Sequence, residues 1–282
     1  MRPASDLLTE LAGRDIRVVY SDLDGTLLGP GGSLFATSAG SVTRRAAEAI
    51  ATLREAGSAL VPVSGRTVEQ MREAARILGA TDFVAEMGGL TSYEVEDLVV
   101  RNYGAFEGAG TPFDAMARTG AGALLLEEFV GRLQPHTPWA LQPRECSMLF
   151  RGQIVERDAH ELLEQAGHRW LDVRDNGVIG RSFDGLSVDE VHAYHLMPRG
   201  VDKGTAVAAD LVRRGCAREQ AIAIGDSPSD AVLADYVAGV FIVANGREHV
   251  EAAGPWPNTV VGTEGAHGDG FAEAVLGVLR TL

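Results

Sequence analysis

Asp22 and Asp24 stand one residue apart in "RVVYSDLDGTLLGPGG", at the end of an apolar run and just before Gly25 and Thr26. Two carboxylates that close repel each other unless something positive binds between them. Residues two apart at a strand end point the same way, so both can face one ligand. Gly25 allows a sharp exit and a close backbone approach. The combination suits a carboxylate nucleophile, Asp22, with Asp24 as its acid–base partner. By themselves the same residues also fit a turn with solvated carboxylates.

Three further segments carry comparable chemistry: "VSGRT" (63–67), "DKG" (202–204) and "GDSPSD" (225–230). Asp226 follows an apolar strand directly, and Asp230 lies four residues on, at a helix start. With Asp22 and Asp24 they offer enough hard oxygen for one Mg²⁺, which takes few carboxylates plus water and phosphate. Taken alone, "GDSPSD" is also a plausible helix-capping turn. Ser64 can donate a hydroxyl hydrogen bond to a phosphoryl oxygen, helped by the backbone amides, Gly65 included, that lead into the next helix. Arg66 either contacts phosphate or pairs at the surface. Lys203 is the only lysine among 25 basic side chains. A compact ammonium is a point charge where a guanidinium is a planar fork, so its position favours a site role over a solvated helix start.

These segments need a scaffold that brings strand ends together. Apolar runs at 16–22, 59–65 and 82–89 alternate with amphipathic stretches at 43–57 and 67–80, which predicts a parallel sheet flanked by helices. "LTSYEVEDLVVRNYG" reads as a hairpin on that sheet. From about residue 105 the rhythm changes. One long helix over 111–134, a strand over 139–152, a helix over 155–167 and strands over 169–183 and 190–198 suggest a separate antiparallel sheet with helices. Alternation resumes with helix 203–215, strand 221–226, helix 229–237, strand 239–245 and a last helix near 270–281; "GTEGAHGDG" (262–270) reads as a surface loop. The expected architecture is α/β: a doubly wound, Rossmann-like parallel-sheet core from 1–104 and 198–282, with an inserted α+β cap at 105–197. In such a core the strand carboxyl ends border the ligand crevice.

Bulk properties narrow the function. The chain has 282 residues, 45% hydrophobic and 23% charged, with a formal charge of −14. Such a length holds ample core, and the charge leaves no broad basic face for nucleic acid. Cys146 and Cys216 are far apart and read as reduced structural thiols. "MRPASDLLTELAGRD" is too polar for a signal peptide and no apolar run approaches ~20 residues, so a cytoplasmic enzyme without membrane association is expected. Of the seven histidines, His136, His160, His168, His192 and His195 fall in the inserted unit, show no metal-ligand spacing, and read as surface or structural groups.

The four segments, their order, their strand placement and the insertion between the second and third resemble the haloacid dehalogenase superfamily of phosphohydrolases. The insertion point after "FVAEMGG" resembles the branch with a large α/β cap. "VAEMGG", "PRECSMLF", "GVDKG" and "GDSPSD" are similar to the sugar-phosphatase group that includes mannosyl-3-phosphoglycerate phosphatases. That branch has Asn where this chain has Met87, and Asn where it has Ser229. The resemblance implies that Asp22 forms an aspartyl-phosphate while Asp24 protonates the leaving oxygen and then activates water. It also implies Mg²⁺ on Asp22, the Asp24 carbonyl and Asp226, with Asp230 behind it, and Ser64 and Lys203 on the phosphoryl oxygens. The expected substrate is a small phosphorylated sugar or sugar-acid. Within the insertion, Arg144, a fork-shaped donor suited to a carboxylate or hydroxyls, is expected to face it, while the next residue, Glu145, faces away. Two alternatives stay open: a phosphosugar mutase on the same scaffold, and a non-catalytic phospho-acceptor module.

Overall fold

The computed structural model describes residues 1–95 and 97–280. Six strands form an all-parallel sheet in the spatial order Arg2–Pro3, Val260–Gly262, Gly239–Ile242, Ala221–Gly225, Val18–Ser21, Ala59–Pro62. Alternate residues of each central strand serve opposite faces, as strand geometry requires. Val19, Ile222 and Ile224 pack into one buried cluster with the helices Arg45–Glu55 and Gly268–Arg280. Val18, Tyr20, Ala221 and Ala223 pack into a second cluster, on the side of the helix Lys203–Arg214. Layers on both faces make this a doubly wound α/β core.

Beyond Ala59–Pro62 the sheet continues through a single parallel bridge, Val63 to Val84, into an antiparallel meander of Phe83–Ala85, Leu90–Tyr93 and Leu98–Arg101. The apolar run 82–89 is therefore a strand only to Ala85. Glu86 and Met87 follow at φ +47° and +59° and turn the chain. Left-handed backbone suits Asn better than Met, which gives Met87 a physical cost that Asn would lower.

A second sheet is built between residues 133 and 198: Leu133–Pro135, Met148–Gly152, His192–Pro198 and Leu171–Val178, antiparallel throughout. Phe150, Leu171, Val173, Tyr194 and Leu196 of this sheet bury against Met116, Leu125 and Leu163 of its helices, a core separate from the other two. The long helix expected over 111–134 is two, Pro112–Thr119 and Ala121–Glu128, broken where Gly120 takes φ +74°. The strand expected over 139–152 begins only at Met148, so Arg144 sits in a loop. The strand expected over 169–183 runs over Leu171–Val178, and the one expected over 190–198 over His192–Pro198.

Short elements escaped the periodicity. Helix Ala4–Leu11 buries Leu7 and Leu11, and Arg247–Ala252 and the strand Val260–Gly262 complete the core. The segment 262–270 is not a surface loop throughout: Thr263 is fully buried and Gly268 opens the last helix. No described helix is long and apolar enough to cross a membrane.

Candidate active site

Asp22 leaves the central strand Val18–Ser21, its amide still bonded to the Ile224 carbonyl at 2.9 Å. Asp226 leaves the neighbouring strand Ala221–Gly225 directly, and Ser64 follows Ala59–Pro62 on the other side. Three adjacent parallel strands thus deliver residues just past their carboxyl ends to one edge, where a doubly wound sheet opens its crevice.

Lys203 reaches this edge from the first turn of helix Lys203–Arg214, which Asp202 caps by accepting from the Thr205 amide at 2.7 Å. Its Nζ donates to Asp22 Oδ1 at 2.8 Å and to Asp230 Oδ1 at 2.7 Å, and the side chain is fully buried. Burial disfavours the ammonium, but the two carboxylates outweigh it and hold Lys203 above its ordinary range. Asp230 spends its other oxygen on the Asp226 and Ser227 amides and the Ser227 hydroxyl, at 3.2, 3.1 and 2.7 Å. It therefore organises the loop and orients the lysine.

Asp22 is pushed up to about 7, first by burial and then by Asp230, against the pull of Lys203. Asp226 is pushed well up by burial and by the charges of Asp22 and Asp230. Three carboxylates share one ammonium, a net deficit of two charges that a divalent cation would neutralise. Space supports the same reading. Gly25 adopts φ +86°, and a Cβ there would stand 2.0 Å from Asp226 Oδ2, so a bare backbone lines the carboxylates. Asn245 Nδ2 and His267 Nδ1 both meet the Gly25 carbonyl at 2.8 Å, fixing this turn from two sides, His267 coming from the segment expected to be a surface loop. An all-oxygen, buried, under-neutralised cluster fits Mg²⁺.

Asp24 points elsewhere. Its carboxylate takes a two-pronged bond from Arg66, Nε to Oδ2 at 2.7 Å and Nη2 to Oδ1 at 2.6 Å, and its side chain is 56% exposed. Ser64 is buried, and its Oγ accepts the Arg66 amide at 3.3 Å.

The inserted sheet closes over this edge at Gly65. Arg144 Nη1 donates to the Gly65 carbonyl at 3.0 Å and to Ser147 Oγ at 3.2 Å. Its Nε is buried with no hydrogen-bond partner. A Cβ on Gly65 would lie 2.5 Å from His195 Nε2 and 2.9 Å from Asn176 Nδ2, so only glycine fits beneath these two side chains. Burial, reinforced by Arg144 and Lys203, drives His195 well below its usual range and keeps it neutral. Behind Arg144, Glu86 accepts the amides of Glu145, Cys146 and Ser147, each at 2.9 Å, and the Ser147 hydroxyl at 3.1 Å. Glu145 faces away and pairs with Arg101 and Tyr103. Sequence reasoning missed Glu86, Asn176, His195, Asn245 and His267. The acid in "AEMGG" and the glycines around His267 were the available signals.

Fold and site together define a doubly wound α/β core with a carboxylate–lysine cluster at its strand ends and an inserted unit above. The chain belongs to the haloacid dehalogenase-like hydrolase family, whose model matches residues 19–104 and 183–274. It is 27% identical over 263 residues to the phosphoglycolate phosphatase of Methanoculleus marisnigri, covering 92% of this chain and 95% of that one. The corresponding protein of Halobacterium salinarum is 36% identical over 88 residues, a match spanning 31% of this chain and only 37% of its own length. The fold is shared with the sucrose-phosphatase of Synechocystis, with a TM-score of 0.63 at 18% identity over 94% of this chain and 98% of that one. A Thermoplasma acidophilum protein aligns with a TM-score of 0.62 at 17% identity, over 95% and 99%.

Proposed function

We propose that the protein is a Mg²⁺-dependent phosphatase acting on a small phosphorylated acid or sugar, with phosphoglycolate the first candidate. The observation that carries the reading is Lys203 bridging Asp22 and Asp230 beside Asp226, at the ends of adjacent strands. Asp22 attacks phosphorus, the ester P–O bond breaks, and an aspartyl-phosphate forms. Asp24, released from Arg66 and protonated from solvent, gives that proton to the leaving oxygen and later takes one from the water that hydrolyses the intermediate. Lys203 and Ser64 hold the phosphoryl oxygens, work that phosphoryl transfer rewards more than covalent chemistry. Asp22, Asp226 and the Asp24 carbonyl would hold Mg²⁺, which when bound neutralises phosphoryl charge.

The unit 105–197 acts as the cap that selects the substrate. Arg144, with an unpaired Nε beside Gly65, suits a substrate carboxylate, as the names of the curated relatives suggest. Phosphate release should be measured over phosphoglycolate, sugar phosphates and a generic aryl phosphate, with and without Mg²⁺. Asp22→Asn is expected to lower release to background while circular dichroism stays native. Near-normal release from that variant would remove Asp22 as nucleophile.

A further inference from the structure

The cap and the core meet at a second set of ligating side chains, away from the Asp22 cluster. Asp175 lies in the strand Leu171–Val178, and His192 opens the strand paired beside it. His249 comes from the core, on helix Arg247–Ala252. One ligand atom from each, a carboxylate oxygen and two ring nitrogens, all lie within 4.8 Å of one another. His192 Nδ1 is 2.7 Å from Asp175 Oδ2, and the two imidazole rings are 5.3 Å apart.

Two features set this group apart from a chance meeting of polar side chains. His249 Nε2 is buried and has no hydrogen-bond partner, although buried polar atoms normally find one. The other two residues are held from behind: His192 Nε2 lies 2.9 Å from Glu190 Oε2, and Asp175 Oδ1 accepts the Gly177 amide at 2.7 Å. Outer partners of this kind orient metal ligands and set which imidazole nitrogen is free to bind. His192 itself is 7% exposed, so its ring is not free to rotate into solvent.

We propose that Asp175, His192 and His249 form a site for a zinc-class transition-metal ion that fastens the cap to the core. Two imidazoles and one carboxylate are the donors that zinc takes at about 2.0–2.2 Å, with water in the fourth place. Mg²⁺ wants oxygen, so the chemistry separates this site from the all-oxygen cluster at Asp22. Asp175 and His249 also line the cavity of about 410 Å³ that reaches Lys203 and Ser229. An ion there joins the two walls of that cavity, one from each unit. Because all three ligands meet only when the units are together, binding selects the closed arrangement.

The test uses the full chain saturated with Mg²⁺ and titrated with Co²⁺, a coloured stand-in for zinc. One Co²⁺ per chain should bind with the intense visible absorption of a nitrogen-ligated, low-coordinate ion, and Zn²⁺ should displace it. Co²⁺ in the oxygen cluster would instead give the weak absorption of an octahedral ion. His249→Ala is expected to abolish the intense band and weaken binding at least about tenfold, with phosphate release in Mg²⁺ unchanged. Asp175→Asn and His249→Gln serve if the alanine variant does not fold, and each should weaken the band. An intense band that survives in the folded His249 variants, or no such band in the unaltered chain, would overturn the assignment.

Discussion

Lys203 is the side chain on which the buried charges turn. With no exposure and two carboxylate partners, it cannot be removed without leaving Asp22 and Asp230 facing each other. Lys203→Met should destabilise the protein by about 3–5 kcal/mol, the usual cost of breaking a buried pair from one side, read by urea unfolding. Lys203→Arg keeps the charge but must seat a larger planar group in the buried position between Asp22 and Asp230, costing about 1–3 kcal/mol. It should also depress phosphate release, because a fork cannot take the place of the ammonium between two oxygens. An arginine variant with unaltered stability and kinetics would refute the point-charge argument. Asp24 shows the complementary case: its ion pair with Arg66 is partly solvated, and the part proposed for it is chemical. Asp24→Asn is accordingly expected to slow turnover about 10²–10⁴-fold with little change in stability.

At the level of elements, the turn Glu86–Gly88 ties the core to the loop 144–147. Burial of Glu86 raises its proton affinity, and the charge of Arg144 and its hydrogen bonds offset this only in part. Glu86→Gln substitutes a donor for one acceptor and strands part of that set, at about 1–3 kcal/mol. The variant should also be cut faster by protease within 139–147. Unchanged unfolding and unchanged proteolysis would mean the carboxylate is no anchor. Within the cap, helix Glu156–Gln165 is tied to strand Leu171–Val178 by His160 Nε2 and Asp172 Oδ1 at 2.5 Å. The hydrogen bond to Asp172 raises His160. Burial opposes ionisation of Asp172, yet His160 and Arg174 hold it below its ordinary value. A raised histidine contributes fully below its unfolded value of about 6.5 and loses the contribution as pH rises through the folded one. A lowered carboxyl loses its share as pH falls through its folded value, below 3.8. The pair therefore supports the cap between those limits, by about 0.2–1 kcal/mol given its partial exposure. Unfolding of His160→Gln should lack that loss of stability above neutral pH, and an identical pH profile would exclude the pair as its source.

At the scale of the whole molecule, one unit carries the charged cluster and the other lowers Arg144, Asn176 and His195 onto it. On the proposed reading the core segments grip any phosphoryl group and discrimination falls to the cap. Arg144→Ala should raise KM for a phosphorylated acid several-fold more than for an aryl phosphate that lacks the carboxylate. Equal losses on both would assign Arg144 to holding Gly65 and cap closure, not to substrate choice. What the sequence determined by itself was the part of this arrangement written in local pattern. Alternating apolar runs and helical periodicity place Asp22, Ser64 and Asp226 at the ends of strands and Lys203 at a helix start, and the strand order of a doubly wound sheet then makes them neighbours. The long helix over 111–134 failed because a single glycine at positive φ breaks it without disturbing the apolar spacing. The strand over 139–152 failed because Glu86, some sixty residues away, captures the amides of Glu145, Cys146 and Ser147 that a strand would have used. His192 and His249, 57 positions apart, had no spacing to read, since they belong to different units. Tertiary structure alone decided those meetings, because contacts between distant segments follow from how two separately packed cores come to rest on each other, and no period in the chain records that.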